Sequence, residues 1–178
     1  TLPLTLFPYT TLFRSYDDYG NLTYVLPPKS EPTTSNVAAS STKLNNLCYQ
    51  YKYDSQNRLI EKKIPGKGWE YIVYNQLDQP VMTQDAVQRS KSNKEWLFTK
   101  YDALGRVAYT GLYRNTSHTR SSLQGLVDAG NYLEFEKRSG ANTYANTSVS
   151  YTNNAIPSGM AEIYTINYYD DYNISNIG

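Results

Sequence analysis

The chain has one cysteine, Cys48, and one histidine, His118, among its 178 residues. A lone cysteine excludes an internal disulfide. One of each excludes a zinc site built from cysteine and histidine within the chain. No run of about 20 apolar residues occurs, so no membrane-spanning helix is expected. The net charge is +1, which leaves no electrostatic case for nucleic acid or an anionic membrane. No G-x-x-x-x-G-K-[ST] or G-x-G-x-x-G stretch is present to cradle a phosphate. His118 sits in a Thr/Ser-rich stretch without HExxH, and reads as a surface-loop residue. Cys48 precedes a Tyr-rich strand and reads as a buried or half-buried thiol rather than a nucleophile. These absences lead to the expectation that the chain is not an enzyme and carries no cofactor or metal.

Tyrosine is the excess, with 19 residues. With many Thr, Asn and Ser, it points to β-structure with aromatic-covered sheet faces. The chain is organised around Tyr101-Asp102-Ala103-Leu104-Gly105-Arg106-Val107. This reads as a strand end, a tight turn and a new strand. The Asp carboxylate can fold onto backbone N–H groups two residues on. Gly three residues later suits a three-residue hairpin with a left-handed step. The form recurs at Tyr16-Asp17-Asp18-Tyr19-Gly20 and at Tyr53-Asp54-Ser55-Gln56-Asn57. Tyr74-Asn75-Gln76-Leu77-Asp78 is a degenerate version, and Tyr169-Asp170-Asp171-Tyr172-Asn173 a fifth candidate. The residue three after each anchor is Gly, Asn or Asp, the types that enter the left-handed region most cheaply. A repeat of roughly 20–30 residues implies stacked or spiralling units, each too small to bury its face alone. The acidic pairs Asp17-Asp18 and Asp170-Asp171 read as turn chemistry rather than a calcium site, which wants several oxygen ligands around one tight loop.

Along the chain, strands are expected at 22–26, 49–53, 58–64, 69–74, 80–83, 96–101 and 107–112. The polar stretch 29–46 reads as an insertion, and 85–94 and 139–148 as polar loops. Residues 113–168 interrupt the pattern. They hold the one short helix expected, near 119–129, capped by Thr119, with Leu123, Leu126 and Val127 on one face and Gly130 past its end. Leu133 and Phe135 lead to a charged exit at Glu136-Lys137-Arg138. Strand character resumes at 163–169, and residues 169–178 read as the truncated start of a further repeat. At the other end, Thr5 to Ser15 resembles, residue for residue, a translated sequencing adapter. Residues 1–15 are therefore set aside as non-native.

The stretches 16–22, 53–59 and 101–107, with Lys63-Ile64-Pro65-Gly66 and Tyr168-Tyr169-Asp170-Asp171-Tyr172, resemble the tyrosine–aspartate (YD) repeats of Rhs-type proteins, in particular those of the Bacteroidetes. The resemblance covers roughly residues 16–178. It implies an antiparallel β-sheet that spirals into a hollow shell, with Tyr16, Tyr53, Tyr74 and Tyr101 packed between strands. Asp17, Asp54, Asn75 and Asp102 would hold the turns, and Gly20, Asn57, Asp78 and Gly105 would supply the left-handed step. Function would belong to a secreted or cell-surface parent protein, with the rest of that chain and an enclosed C-terminal toxin as partners. The family's self-cleavage aspartates have no counterpart motif here, so that role does not pass to Asp17, Asp54, Asp102 or Asp170. The alternative is an adhesin or sugar-binding module that uses exposed tyrosines on cell-surface glycans.

Overall fold

The computed structural model describes residues 12–32 and 41–169. The protein is mainly β, with antiparallel sheet and, among the described residues, three α-helices. It divides into two compact units, residues 1–71 and 72–178, and the division falls inside one strand.

The first unit carries β1 (Phe13–Tyr16), β2 (Leu22–Leu26), a 3-10 turn (Pro28–Ser30), α1 (Ser41–Leu47), β3 (Tyr49–Tyr53), β4 (Leu59–Lys63) and the start of β5 (Glu70–Tyr74). Strand order follows the sequence, each strand pairing antiparallel with the next. Burial here is thin. Among its described residues only Ser30, Cys48 and Gln50 are buried, and most strand positions are half-exposed. Residues 13–15, set aside from the sequence, pair with Leu26, Val25 and Tyr24. All four β1 side chains are exposed, so this strand uses only the backbone groups that an open sheet edge offers to any extended segment. Residues 1–11 lie outside the described part.

The second unit carries the rest of β5, then β6 (Pro80–Gln84), α2 (Ala86–Ser90), β7 (Glu95–Tyr101), β8 (Val107–Arg114), α3 (Arg120–Asp128), β9 (Arg138–Tyr144), β10 (Thr147–Tyr151) and β11 (Glu162–Ile166). The order is β6-β7-β8-β11, with β9 and β10 forming a separate hairpin. Its core is real. Trp96 and Phe98 on β7, Ala108, Tyr109 and Leu112 on β8, Leu123 and Val127 on α3, and Val149 and Tyr151 on β10 are all buried. Phe98 meets Tyr109 edge to face at 6.2 Å, and Tyr109 meets Tyr151 at 6.1 Å. Gly111 on β8 makes room for this packing. A Cβ there would lie 2.1 Å from the Glu162 carbonyl and 2.7 Å from the Phe98 ring.

Helix α3 starts from a Thr119 cap and ends near Gly130, at φ +70°. Gln124 ties it to the backbone of Tyr74, accepting from its N–H at 3.1 Å and donating to its carbonyl at 2.8 Å.

The structure corrects several expectations. The described residues hold three α-helices where one was expected. α2 occupies the expected loop at 85–94, because Asp85 and Gln88 close a capping box, each side chain bonded to the other's backbone N–H. α1 lies in the polar insertion. Behind it Gln50 donates to the Leu44 carbonyl at 3.0 Å and Cys48 is buried. The expected loop at 139–148 is the β9–β10 hairpin, turned by Ala145 and Asn146 at φ +46° and +59°. Its outward positions are polar, which hides the strand period. Residues 133–135 form no strand. Glu136, expected as part of a charged exit, is buried. The fifth candidate turn falls on 170–173, outside the described residues; only its Tyr169 is described.

Candidate functional site

Four turns share one hydrogen-bond set. At Asp102, the backbone N–H donates to the Arg106 carbonyl at 2.8 Å, and the Gly105 N–H donates to the Asp102 carbonyl at 3.0 Å. The carboxylate Oδ1 accepts from the Leu104 and Arg106 N–H groups, both at 2.9 Å, and Oδ2 accepts from Arg106 Nε at 2.7 Å. Asp54 repeats this with Gln56 and Arg58 at 2.9, 2.9 and 2.7 Å. Asp17 does so with Tyr19 and Asn21 at 3.0, 2.8 and 3.1 Å. Asn75 is the neutral version. Its Oδ1 accepts from the Leu77 and Gln79 N–H groups at 3.1 and 2.8 Å, and its Nδ2 donates to Gln79 Oε1 at 2.8 Å. The third residue after each anchor is left-handed: Gly20 at φ +83°, Asn57 at +59°, Asp78 at +59° and Gly105 at +76°.

Burial raises the Asp54 and Asp102 carboxyls. Hydrogen bonds from the backbone and side chain of Arg58 and Arg106 outweigh it, and each carboxyl ends below its ordinary value.

Successive turns are linked in register. The Tyr53 hydroxyl donates to the Leu22 carbonyl at 3.0 Å, and Tyr101 to the Pro80 carbonyl at 2.9 Å. Tyr169 does the same to Val107 at 3.1 Å. Tyr53 and Tyr101 each stand just before an anchor, and all three tyrosines reach the carbonyl five residues past an earlier anchor, Asp17, Asn75 or Asp102. The turns also touch within each unit. Asn21 Nδ2 donates to Asn57 Oδ1 at 2.9 Å, and Gln79 lies against Gly105, whose added Cβ would sit 3.0 Å from Gln79 Nε2. Both contacts join the fourth residue after one anchor to the third after the next. Tyr16, expected between strands, is exposed. No described strand precedes β1 in its sheet.

Sequence reasoning missed a buried polar cluster. Lys100 lies on the face of β7 that also carries Trp96 and Phe98, and its side chain is fully buried beside that of Glu136. Its Nζ donates to Glu136 Oε1 at 2.9 Å, to the Ala155 carbonyl at 2.7 Å, and to Asn153 Oδ1. Glu136 also accepts from the Thr152 hydroxyl at 2.6 Å and from the Asn154 and Ala155 N–H groups, each at 2.9 Å. Burial pulls the Lys100 amine down to about 8 against the pull of Glu136. The signal was present in the two-residue period: Trp96, Phe98, Lys100 places an ammonium on a core face, which demands a partner acid.

Above the last turn lies an open groove of about 470 Å³, lined among others by Asp102, Arg106, Glu136, Arg138, Tyr151 and Tyr169. Arg106 lies over the Tyr169 ring at 4.2 Å, and Arg138 over Tyr168 at 4.4 Å. His118 stacks on Tyr113 and bonds its hydroxyl at 3.1 Å. Among the described residues, no group of three or more His, Cys, Asp or Glu is placed to hold a metal ion. None of the described helices is long and apolar enough to cross a membrane. No protein-family model matches the chain, and no curated protein is significantly similar to it.

Proposed function

We propose that this chain is a non-enzymatic length of YD-repeat sheet, part of a shell with which a larger bacterial Rhs-type protein encloses or delivers a C-terminal toxin. One observation carries the reading. The same turn recurs at Asp17, Asp54, Asn75 and Asp102, and tyrosines reach back to carbonyls at one fixed offset from an earlier anchor. Such a rule can be extended by any number of units, each stabilised by its neighbour. The half-exposed strands of the first unit support it too. A wall wetted on both faces must be held by hydrogen bonds and aromatic contacts more than by a dry core. On this reading the Tyr, Asp and Gly of the turns are structural. The partners are the remaining parent chain and its enclosed domain, outside the cytoplasm.

A second reading, sugar binding by an adhesin, draws on exposed Tyr19, Tyr164 and Tyr168. Aromatic faces do stack on sugar rings, but they also stack on one another, as Tyr168 does on Tyr151 at 5.6 Å. Titration against a glycan panel, followed by Tyr and Trp fluorescence, separates the two. No saturable response is expected; a saturable one would favour the adhesin. Electron microscopy of the parent protein should show a closed hollow particle that shields its C-terminal domain from protease. An open rod with that domain digested at once would count against the shell.

A further inference from the structure

The Lys100 cluster holds three groups in contact that together can do covalent chemistry. Lys100 supplies a fully buried amine. Asn153 supplies a carboxamide in hydrogen-bond contact with that amine. Glu136 supplies a carboxylate 2.9 Å from the same Nζ, held in place by the Thr152 hydroxyl and two backbone N–H groups. The three donors of the Lys100 ammonium meet three acceptors, Glu136, the Ala155 carbonyl and Asn153, and of these the Asn153 carboxamide is the one with an acyl carbon that a neutral amine can attack with ammonia as leaving group. We infer that Lys100 and Asn153 become joined by an intramolecular isopeptide bond, with Glu136 as the proton carrier.

The step balances without any co-reactant. Glu136 takes a proton from the Lys100 ammonium and leaves a neutral amine. Burial already favours the neutral form and brings the amine down to about 8. The Nζ lone pair attacks Asn153 Cγ, and the carbonyl electrons move onto Oδ1. Glu136 gives its proton to Nδ2 and takes one from the attacking nitrogen. The Cγ–Nδ2 bond breaks as the carbonyl re-forms, and the ammonia released takes the remaining proton from Glu136, leaving as ammonium and restoring the carboxylate. A neutral amine held against its target is the activation that lysine nucleophiles require, and the fixed contact supplies proximity. Nδ2 is already turned outward, donating to the Ser158 carbonyl at 2.7 Å. Asn153 is only part-buried, which gives ammonia a way out. The product ties β7 to the segment after β10 and closes a long loop of chain permanently, removing conformational freedom from the unfolded state. The inference is independent of the shell reading, since it needs only these three side chains.

The test is the intact mass of the full chain under denaturing conditions, with tandem mass spectrometry of its digest. The expected mass is short by one ammonia, with a branched peptide linking Lys100 to Asn153. The full mass, with linear peptides carrying unmodified Lys100 and Asn153, would overturn the inference. So would loss of one water with Lys100 joined to Glu136. The wild-type mass decides without any variant. Asn153→Asp should still cross-link, now by loss of water, and Asn153→Ala should keep its full mass. Soluble Glu136→Gln should also keep its full mass; a cross-link formed in it would overturn the role given to Glu136.

Discussion

Replacing Asp102 by asparagine, alone and with Arg106→Gln, separates the two chemistries that the turns use. Asp102→Ala removes the acceptor for two backbone N–H groups and for Arg106 Nε. The site is nearly buried, so the cost falls toward the upper part of the range for lost side-chain caps, about 2 kcal/mol. Asp102→Asn keeps Oδ1 for both N–H groups but sets an amide NH2 against the Arg106 donor. Arg106 is about a third exposed, which screens the lost ion pair, so this change should cost about 1 kcal/mol. In the asparagine background, Arg106→Gln restores the pairing found at Asn75 and Gln79, where amide meets amide at 2.8 Å. Arg106→Gln alone also forfeits the contact with Tyr169 at 4.2 Å, so the informative quantity is the coupling in a double-mutant cycle. It should be favourable by about 0.5–1 kcal/mol. Urea unfolding followed by Trp fluorescence, at unchanged m-value, measures it. Zero coupling, or a double variant worse than the sum of the singles, would refute the claim that one turn design accepts both pairs.

Gly105→Val forces a β-branched residue to φ +76° beside Gln79 and should lower stability by about 1–2 kcal/mol; an unchanged melting temperature would remove the left-handed step from the account. Gly111→Ala meets the Glu162 backbone and the Phe98 ring, and should cost about 3 kcal/mol or more by parting β8 from β11, read as lost amide protection at 162–166. Tyr101→Phe loses only the bond to the Pro80 carbonyl and should cost about 1 kcal/mol in the same urea assay. The folded Asp54 and Asp102 carboxyls bind protons less tightly than the unfolded chain. Their stabilisation is therefore complete above 3.8 and is lost as pH falls through that value toward the folded one. The urea midpoint should drop over that window, and Asp54→Ala/Asp102→Ala should flatten the slope.

What the sequence made legible was local. An Asp or Asn anchor and a Gly, Asn or Asp three places on specify a turn through their own backbone reach, so even the degenerate turn at Asn75 follows the rule. Helix α3 was legible because its cap, its apolar face and its closing glycine agree. The misses were of two kinds. Helix α2 is one capping box, Asp85 and Gln88, without an apolar face to announce it. The β9–β10 hairpin is polar on its outward positions, so Val149 and Tyr151 alone carry its buried side. The Lys100–Glu136–Asn153 cluster is non-local. The sequence shows a lysine in step with Trp96 and Phe98, but only the fold says which acid and which amide come to meet it.

The central claim, that this chain is one stretch of an extended repeat wall, is tested most directly by a long read across the locus in its source DNA. The account predicts further Tyr-Asp turns after Gly178, leading to a core and a distinct C-terminal domain, and a native sequence in place of residues 1–15. A reading frame that ends near Gly178, or that runs into a surface anchor, would contradict it and favour the adhesin.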